Sequence, residues 1–329
     1  MIVKNVILFG ILCVTCLCTT EKTIFRNGWY KTNRSGKKIM VSKVKSINPH
    51  DFPASKYLKV SSVIPELYQD SVKDLTELED LVLTECGLQN IYPGAFQNLP
   101  RLAIINLRDN GIKSIEKGVF NDLKLKILFL HKNEITHIDG EAFDNMTALT
   151  KIKLNHNALT TWDPNWFKNT PSIEVLSFRR NSITEVPTNA FKNFANTDNL
   201  IIYLSNNNIS RISPNAFTGL VKVNEIWLDR NWLTSVDESA FTGVQQIEKL
   251  MFMRNKIRTL PDDVFSTVKS ITHLNMGSNH WLQCIPESIV KIVKNFDMAN
   301  IRHLDCVCVK DLKQKYKVEI NINGRSKCG

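Results

Sequence analysis

The sequence predicts an α/β solenoid, a curved right-handed coil with a parallel sheet on its concave side and irregular or short helical connections outside. Three observations carry this. A pattern L-x-x-L-x-L-x-x-N-x-I-x-x-I-x(4)-F-x-x-L recurs about every 24 residues. Its asparagines fall at Asn110, Asn133, Asn157, Asn181, Asn207, Asn231, Asn255 and Asn279, with seven intervals of 23 to 26 residues. A second column holds Phe96, Phe120, Phe143, Phe167, Phe191, Phe217, Phe241 and Phe265. A unit of that size cannot bury its own apolar face and must stack on its neighbours.

Each column has a physical reading. In one unit Leu125, Leu128 and Leu130 precede Asn133, and Ile135, Ile138 and Phe143 follow. The alternation at Leu128 and Leu130 is that of a short strand with one face buried. One strand per unit then builds a parallel sheet with neighbours about 4.8 Å apart. The asparagine stands where the chain turns away from the sheet, and its amide satisfies backbone groups that the bend leaves unpaired. Cys86 takes the asparagine position of an earlier unit and reads as a buried free thiol, not a nucleophile. Asn199 stands in an apolar column of a unit two residues longer than the rest, which predicts an irregularity around residues 195–200.

These motifs resemble the leucine-rich repeat family over roughly residues 58–308, in its 24-residue class. The resemblance implies a horseshoe in which the phenylalanines form a spine on the convex side of the core. It also extends to soluble extracellular members, the secreted leucine-rich immune proteins of insects and the ectodomains of Toll-like receptors. Such proteins end in a cysteine cap over the apolar end of the stack, and Cys306-Val307-Cys308 followed by Leu312 resembles one. The insect proteins often add a coiled coil. Only about 20 residues follow Cys308, too few for the three to four heptads of one.

The chain divides into a signal segment at 1–20, an irregular basic N-terminal cap at 21–57, repeats at 58–283 and a cysteine-containing C-terminal cap at 284–329. Met1–Lys4, an apolar run from Val6 to Cys18 and small residues before Glu21 have the order of a secretory signal, with cleavage near Cys18 or Thr20. No other run of about 20 apolar residues occurs, so no membrane span is expected. The charged tail from Val309 to Gly329 argues against a lipid anchor. The expectation is a soluble, secreted chain, nearer in its length, ends and lack of a span to a soluble relative than to a receptor. Leu58 and Val60 suggest a degenerate opening unit.

Of eight cysteines, Cys13, Cys16 and Cys18 belong to the signal or its edge, and Cys86 to the repeats. Cys284, Cys306, Cys308 and Cys328 remain for two disulfides in an oxidising compartment. The cap's usual pairing does not transfer, because Cys284 lies 22 residues before Cys306 in an isoleucine column, and Ile301, Leu304 and Cys306 read as one more strand. Of three connectivities, Cys284–Cys306 with Cys308–Cys328 is preferred. A zinc site is disfavoured, since the spacing is not C-x-x-C. Glycosylation sequons begin at Asn33, Asn145 and Asn208, the second on a convex connection and the third directly after a ladder asparagine.

Net charge is +10, concentrated in residues 21–60, where ten lysines and arginines face Glu21 and Asp51. A solvated surface accounts for this, as does attraction to polyanions such as sulfated glycans. No nucleic-acid partner is expected of a secreted chain without a recognised binding fold. The seven histidines are scattered, with none beside Ser or Cys in a nucleophile motif. His131 and His156 fall near the ends of neighbouring strands, and solvation explains them better than a metal. No glycine-rich phosphate loop occurs, and neither an enzyme nor a cofactor is expected.

Solenoids bind on extended curved surfaces, most often the concave sheet. Its central exposed column reads Val82, Asn106, Phe129, Lys153, Ser177, Tyr203, Trp227, Met251, Asn275, and the next outward column includes His131, Arg179, Ser205, Asp229 and Met253. Tyr203, Trp227 and Met251 are thus consecutive rungs, flanked by Met253, Arg179, Arg180, Arg230 and Arg254. Aromatic, Met and Arg side chains are enriched at interface hot spots. In that reading Trp227 anchors a protein partner, with Arg230 and Arg254 meeting acidic groups. In the other, the side chains cover their own sheet and the arginines form a solvated rim. The function expected is protein recognition in innate immunity or cell-surface signalling, by an extracellular ligand or receptor. The alternative is a matrix or polyanion-binding structural protein.

Overall fold

The computed structural model describes residues 23–324 and residue 328, apart from 122 and 196. The signal segment expected at 1–20 lies outside the described residues. Within them, a 14-stranded sheet runs the length of the molecule. We number its strands in chain order. They are β1 (Phe25–Lys31), β2 (Ile39–Val44), β3 (Tyr57–Ser61), β4 (Asp80–Val82), β5 (Ile104–Asn106), β6 (Ile127–Phe129) and β7 (Lys151–Lys153). There follow β8 (Val175–Ser177), β9 (Leu200–Tyr203), β10 (Lys222–Trp227), β11 (Gln246–Met251), β12 (Ser270–Asn275), β13 (Val293–Asp297) and β14 (Ile320–Asn321). From β3 onward every neighbour is the next strand in sequence and runs parallel.

The register shows why three residues per strand suffice. Leu81, Ile105, Leu128, Ile152, Leu176, Ile202, Ile226, Leu250 and Leu274 pair in one continuous line. All are buried, each worth roughly 1.5–3 kcal/mol of burial. On the far side the phenylalanine spine stacks in runs, with Phe191, Phe217 and Phe241 at centroid separations of 5.2 and 4.6 Å. Trp162 intrudes on that spine, 5.0 Å from Phe191 and 6.2 Å from Phe167, and its indole N–H donates to the Ala190 carbonyl. The outer connections are short parallel pairs, such as Ser114–Ile115 with His137–Ile138, and 3-10 turns such as Pro164–Phe167.

At the corner after each strand the residue before the asparagine adopts a left-handed conformation, with φ of 55° at His156 and Arg180, 56° at Arg230 and 59° at Arg254. That conformation costs a non-glycine residue roughly 1–2 kcal/mol. The asparagine offsets it. Asn181 Nδ2 donates to the carbonyls of Leu154 (2.9 Å) and Phe178 (3.0 Å), and its Oδ1 accepts from the Leu159 amide at 3.1 Å. Asn207, Asn231, Asn255 and Asn279 repeat this on successive rungs. Cys86 stands free and buried in its unit, where its backbone amide donates to Asn110 Oδ1 of the next one.

The expected irregularity is present and has a mechanism. Leu200 pairs with Val223 but Ile201 with Glu225, so Asn224 is a bulge. Leu200 then enters the core while Asn199 stays exposed. The N-terminal cap differs from the irregular segment expected. β1 and β2 form an antiparallel hairpin, and β1 pairs antiparallel with β3. Leu58 and Val60 are buried on β3, which opens the parallel stack.

The other end corrects two expectations. Ile301, Leu304 and Cys306 are not a strand. Cys306 begins a helix, α1 (Cys306–Tyr316), whose cap Asp305 accepts from the amides of Val307 (2.9 Å) and Cys308 (3.2 Å). Side chains two apart in a strand share a face, whereas in a helix they point roughly 200° apart. Cys308 therefore reaches inward to Cys284 and Cys306 turns to Cys328, with Cα separations of 6.3 and 5.1 Å. The preferred pairing of Cys284 with Cys306 and Cys308 with Cys328 is overturned.

If the asparagine ladder holds the corners, Asn181→Ala leaves the buried Leu159 amide without a partner, while the Leu154 and Phe178 carbonyls each lose one of two bonds and keep those from Asn157 and Asn207. Thermal and denaturant unfolding should then show a loss of about 2 kcal/mol, within the range for an orphaned buried polar group.

Candidate recognition surface on the concave sheet

The central column expected from the sequence pairs without a break in register, but Val82 and Ser177 in it are buried and not exposed. Val82, Asn106, Phe129, Lys153, Ser177, Tyr203, Trp227, Met251 and Asn275 pair in register across β4 to β12. Tyr203, Trp227 and Met251 are half-buried on adjacent strands. The Tyr203 and Trp227 rings stand 5.9 Å apart. The Arg179 guanidinium lies over both, 3.9 Å from the Tyr203 centroid and 5.2 Å from that of Trp227. Its backbone is positioned by Asn155, whose Oδ1 accepts from the Arg179 amide at 3.0 Å. Arg179 Nε is buried without a hydrogen-bond partner among the described residues.

Two residues that the sequence reading passed over complete the cluster. Glu225 Oε2 accepts from the Trp227 indole N–H at 2.7 Å, and Glu225 Oε1 accepts from Lys249 Nζ at 2.8 Å. Glu225 stands two residues before Trp227 on β10, so strand alternation puts both on one face. Burial pushes the Glu225 carboxyl up, but hydrogen bonds from Lys249, Trp227 and Tyr203 outweigh this and hold it below the ordinary glutamate value. The Tyr203 hydroxyl is raised by burial and by the Glu225 charge. The arrangement is a basic and aromatic ledge around one anchored carboxylate.

The remaining residues of the expected site separate from this cluster. Met251 borders a second cleft of about 780 Å³, which also takes in His273, Phe296, Lys313 and Ile320 at the C-terminal end of the sheet. Met253 is half-buried. Arg230 is a rim residue 3.9 Å from Asp229, and that carboxylate also accepts from Ser205. Arg254 lines a cleft on the edge of the sheet with Lys256, Trp281 and Arg302. His131 packs edge-on to Phe129, and burial followed by the charge of Lys153 lowers its pKa. Among the described residues no three His, Cys, Asp or Glu side chains are grouped to hold a metal ion. No helix among them is long and apolar enough to cross a membrane.

The chain belongs to the leucine-rich repeat family, matching the BspA type leucine rich repeat region in six copies over residues 22–133, 66–198 and 184–303. No curated protein matches it. Among solved structures it is similar to the protein in the TLR13–ssRNA13 complex, at 16% identity with a TM-score of 0.59, covering 78% of this chain and 46% of that one. It is also similar to a chain of the glycosylated Toll–Spatzle complex of Drosophila, at 18% identity with a TM-score of 0.56, covering 72% of this chain and 35% of that one. The chain thus spans about half the length of the first and about a third of the second. These likenesses establish the fold.

Because the folded pKa of Glu225 is depressed, the stability it lends is present above about pH 4.3, the ordinary glutamate value, and is lost as pH falls through the lower folded value. Trp227 fluorescence should therefore hold steady from neutral pH to that point and shift below it. Glu225→Gln should remove the step.

Proposed function

We propose that the protein is a secreted, non-enzymatic binding module that recognises an extracellular protein ligand or receptor through its concave face, in innate immunity or cell-surface signalling. The observation that supports this most is the cluster of Arg179, Tyr203 and Trp227, three side chains of the kinds that dominate interface energies, gathered on consecutive rungs. The cluster is partly pre-ordered, since Glu225 already fixes the indole. A pre-ordered anchor loses less rotamer freedom on binding. Arg230 and Arg254, both exposed, stand apart from this ledge, at its rim and on the edge of the sheet, and are proposed to meet acidic groups on a partner. The two disulfides suit an oxidising compartment. Asn33, Asn145 and Asn208 are all exposed and are the proposed glycosylation sites. The resemblance to Toll and TLR13 chains motivates the immune setting, and the fold alone does not decide it.

The test is capture from extracellular fluid with wild type, Trp227→Ala and Arg179→Ala in parallel. A protein retained by wild type and lost by both variants, each melting within a few degrees of wild type, supports the concave site. Loss of a hot-spot residue costs about 2 kcal/mol or more, roughly thirtyfold in affinity. If Trp227→Ala unfolds the chain, the ring is sheet cover and the reading is wrong.

A further inference from the structure

Trp232 and Trp281 are each 55% exposed, and neither takes part in the concave cluster. Trp232, Lys256 and His280 each follow a ladder asparagine, so they occupy one position in three consecutive repeats. The amides of Trp232 and Lys256 each donate to the preceding rung at 2.8 Å, which fixes the spacing of this edge. Lys256 Nζ sits 4.1 Å over the Trp232 ring, and the Arg258 guanidinium lies 5.8 Å from the Trp281 centroid. His303 stacks on Trp281 at 4.6 Å with the planes 4° apart. Arg254, Lys256, Trp281 and Arg302 line a shared cleft of about 720 Å³. Arg230 has Asp229 close by, but among the described residues no carboxylate lies within 4.0 Å of Arg254, Lys256, Arg258 or Arg302.

Arg254, Lys256 and Arg258 come from one repeat and Arg302 joins them across the cleft, so four cations with no carboxylate within 4.0 Å among the described residues gather on this edge, two of them held against indole rings. Their complement is a polymer that carries several anions close together. We propose that the edge running from Trp232 to Arg302 binds a sulfated polysaccharide. The indoles here already carry Lys256 and Arg258 against their rings, and His303 stacks on Trp281, so these faces are occupied and are poorly placed as stacking platforms for nucleic-acid bases. Point-like sulfates match such cations, and the extracellular reading of the chain places them within reach. The site is separate from the basic hairpin of β1 and β2, which charge counting alone favours.

The experiment measures binding of a short heparin oligosaccharide to the full chain at physiological salt. Wild type is compared with Lys256→Ala/Arg258→Ala/Arg302→Ala and with the hairpin variant Lys37→Ala/Lys38→Ala/Lys43→Ala, with melting curves confirming that each is folded. We expect the edge variant to lose about tenfold or more in affinity, the hairpin variant to lose less than about threefold, and de-sulfated heparin not to bind. Undiminished binding by the edge variant, no binding by wild type, or tighter binding of a single-stranded oligonucleotide of matched charge would overturn the proposal. Trp227→Ala leaves this edge intact and should keep heparin binding, so this site and the concave one fail separately.

Discussion

The structure depends on one side-chain amide per repeat. Each rung must end its strand, turn through a left-handed residue and leave the sheet, and that corner strands backbone donors and acceptors in a nearly dry interior. The ladder asparagine closes them in both directions at once, onto its own strand and onto the rung before it. The carbonyl of Leu204, for example, accepts from Asn207 at 2.9 Å and from Asn231 at 3.0 Å. The ladder is therefore shared between neighbours, which is the physical form of the nearest-neighbour coupling expected of solenoids. It also explains why bulky and charged residues such as Arg180, Arg230 and Arg254 tolerate φ near 56–59° or just below it, with Arg180 at 55°. The conformation is over-determined by the bonds around it.

That rigidity is what gives the concave face its chemistry. A register held over every rung lets side chains far apart in sequence meet at constant spacing. Arg179, Tyr203 and Trp227 come from three repeats, and Glu225 and Lys249 tie the last of these down. On the outer edge the same spacing sets Lys256 against Trp232 and Arg258 against Trp281. Two surfaces of different character thus arise from positions a few residues apart in each unit.

What was legible in the sequence is what the repeat controls. The register of the column from Val82 to Asn275, the asparagine ladder, buried Cys86 and the disturbance near Asn199 all follow from period and alternation, whereas the burial of Val82 and Ser177 within that column does not. What was not legible lies where the period stops or where one column touches another. The segment before Leu58 carries no repeat, and its hairpin forms because Phe25 and Tyr30 bury against the first rung and Tyr30 packs on Phe52 at 5.1 Å. At the far end the chain enters a helix at Cys306 where the period suggests one more strand, which reverses the direction of one cysteine and with it the pairing. Glu225 was overlooked although the same alternation that exposes Trp227 exposes it too. Trp162 stands in the second isoleucine column of the pattern, five residues after Asn157, so its burial follows from the period and only the reach of its larger ring to the phenylalanine spine does not.

The central claim is that the asparagine ladder, and not the strands alone, holds the stack. Amide hydrogen exchange tests it directly, because the amides of Leu159, Ile183, Ile209, Leu233 and Ile257 lie outside the strands and donate only to ladder asparagines at 3.0–3.1 Å. The account predicts that they exchange as slowly as the amides of Leu176 and Ile202 within the sheet, opening only with the cooperative unit around them. Rapid exchange at those five positions, with the strand amides still protected, would contradict it.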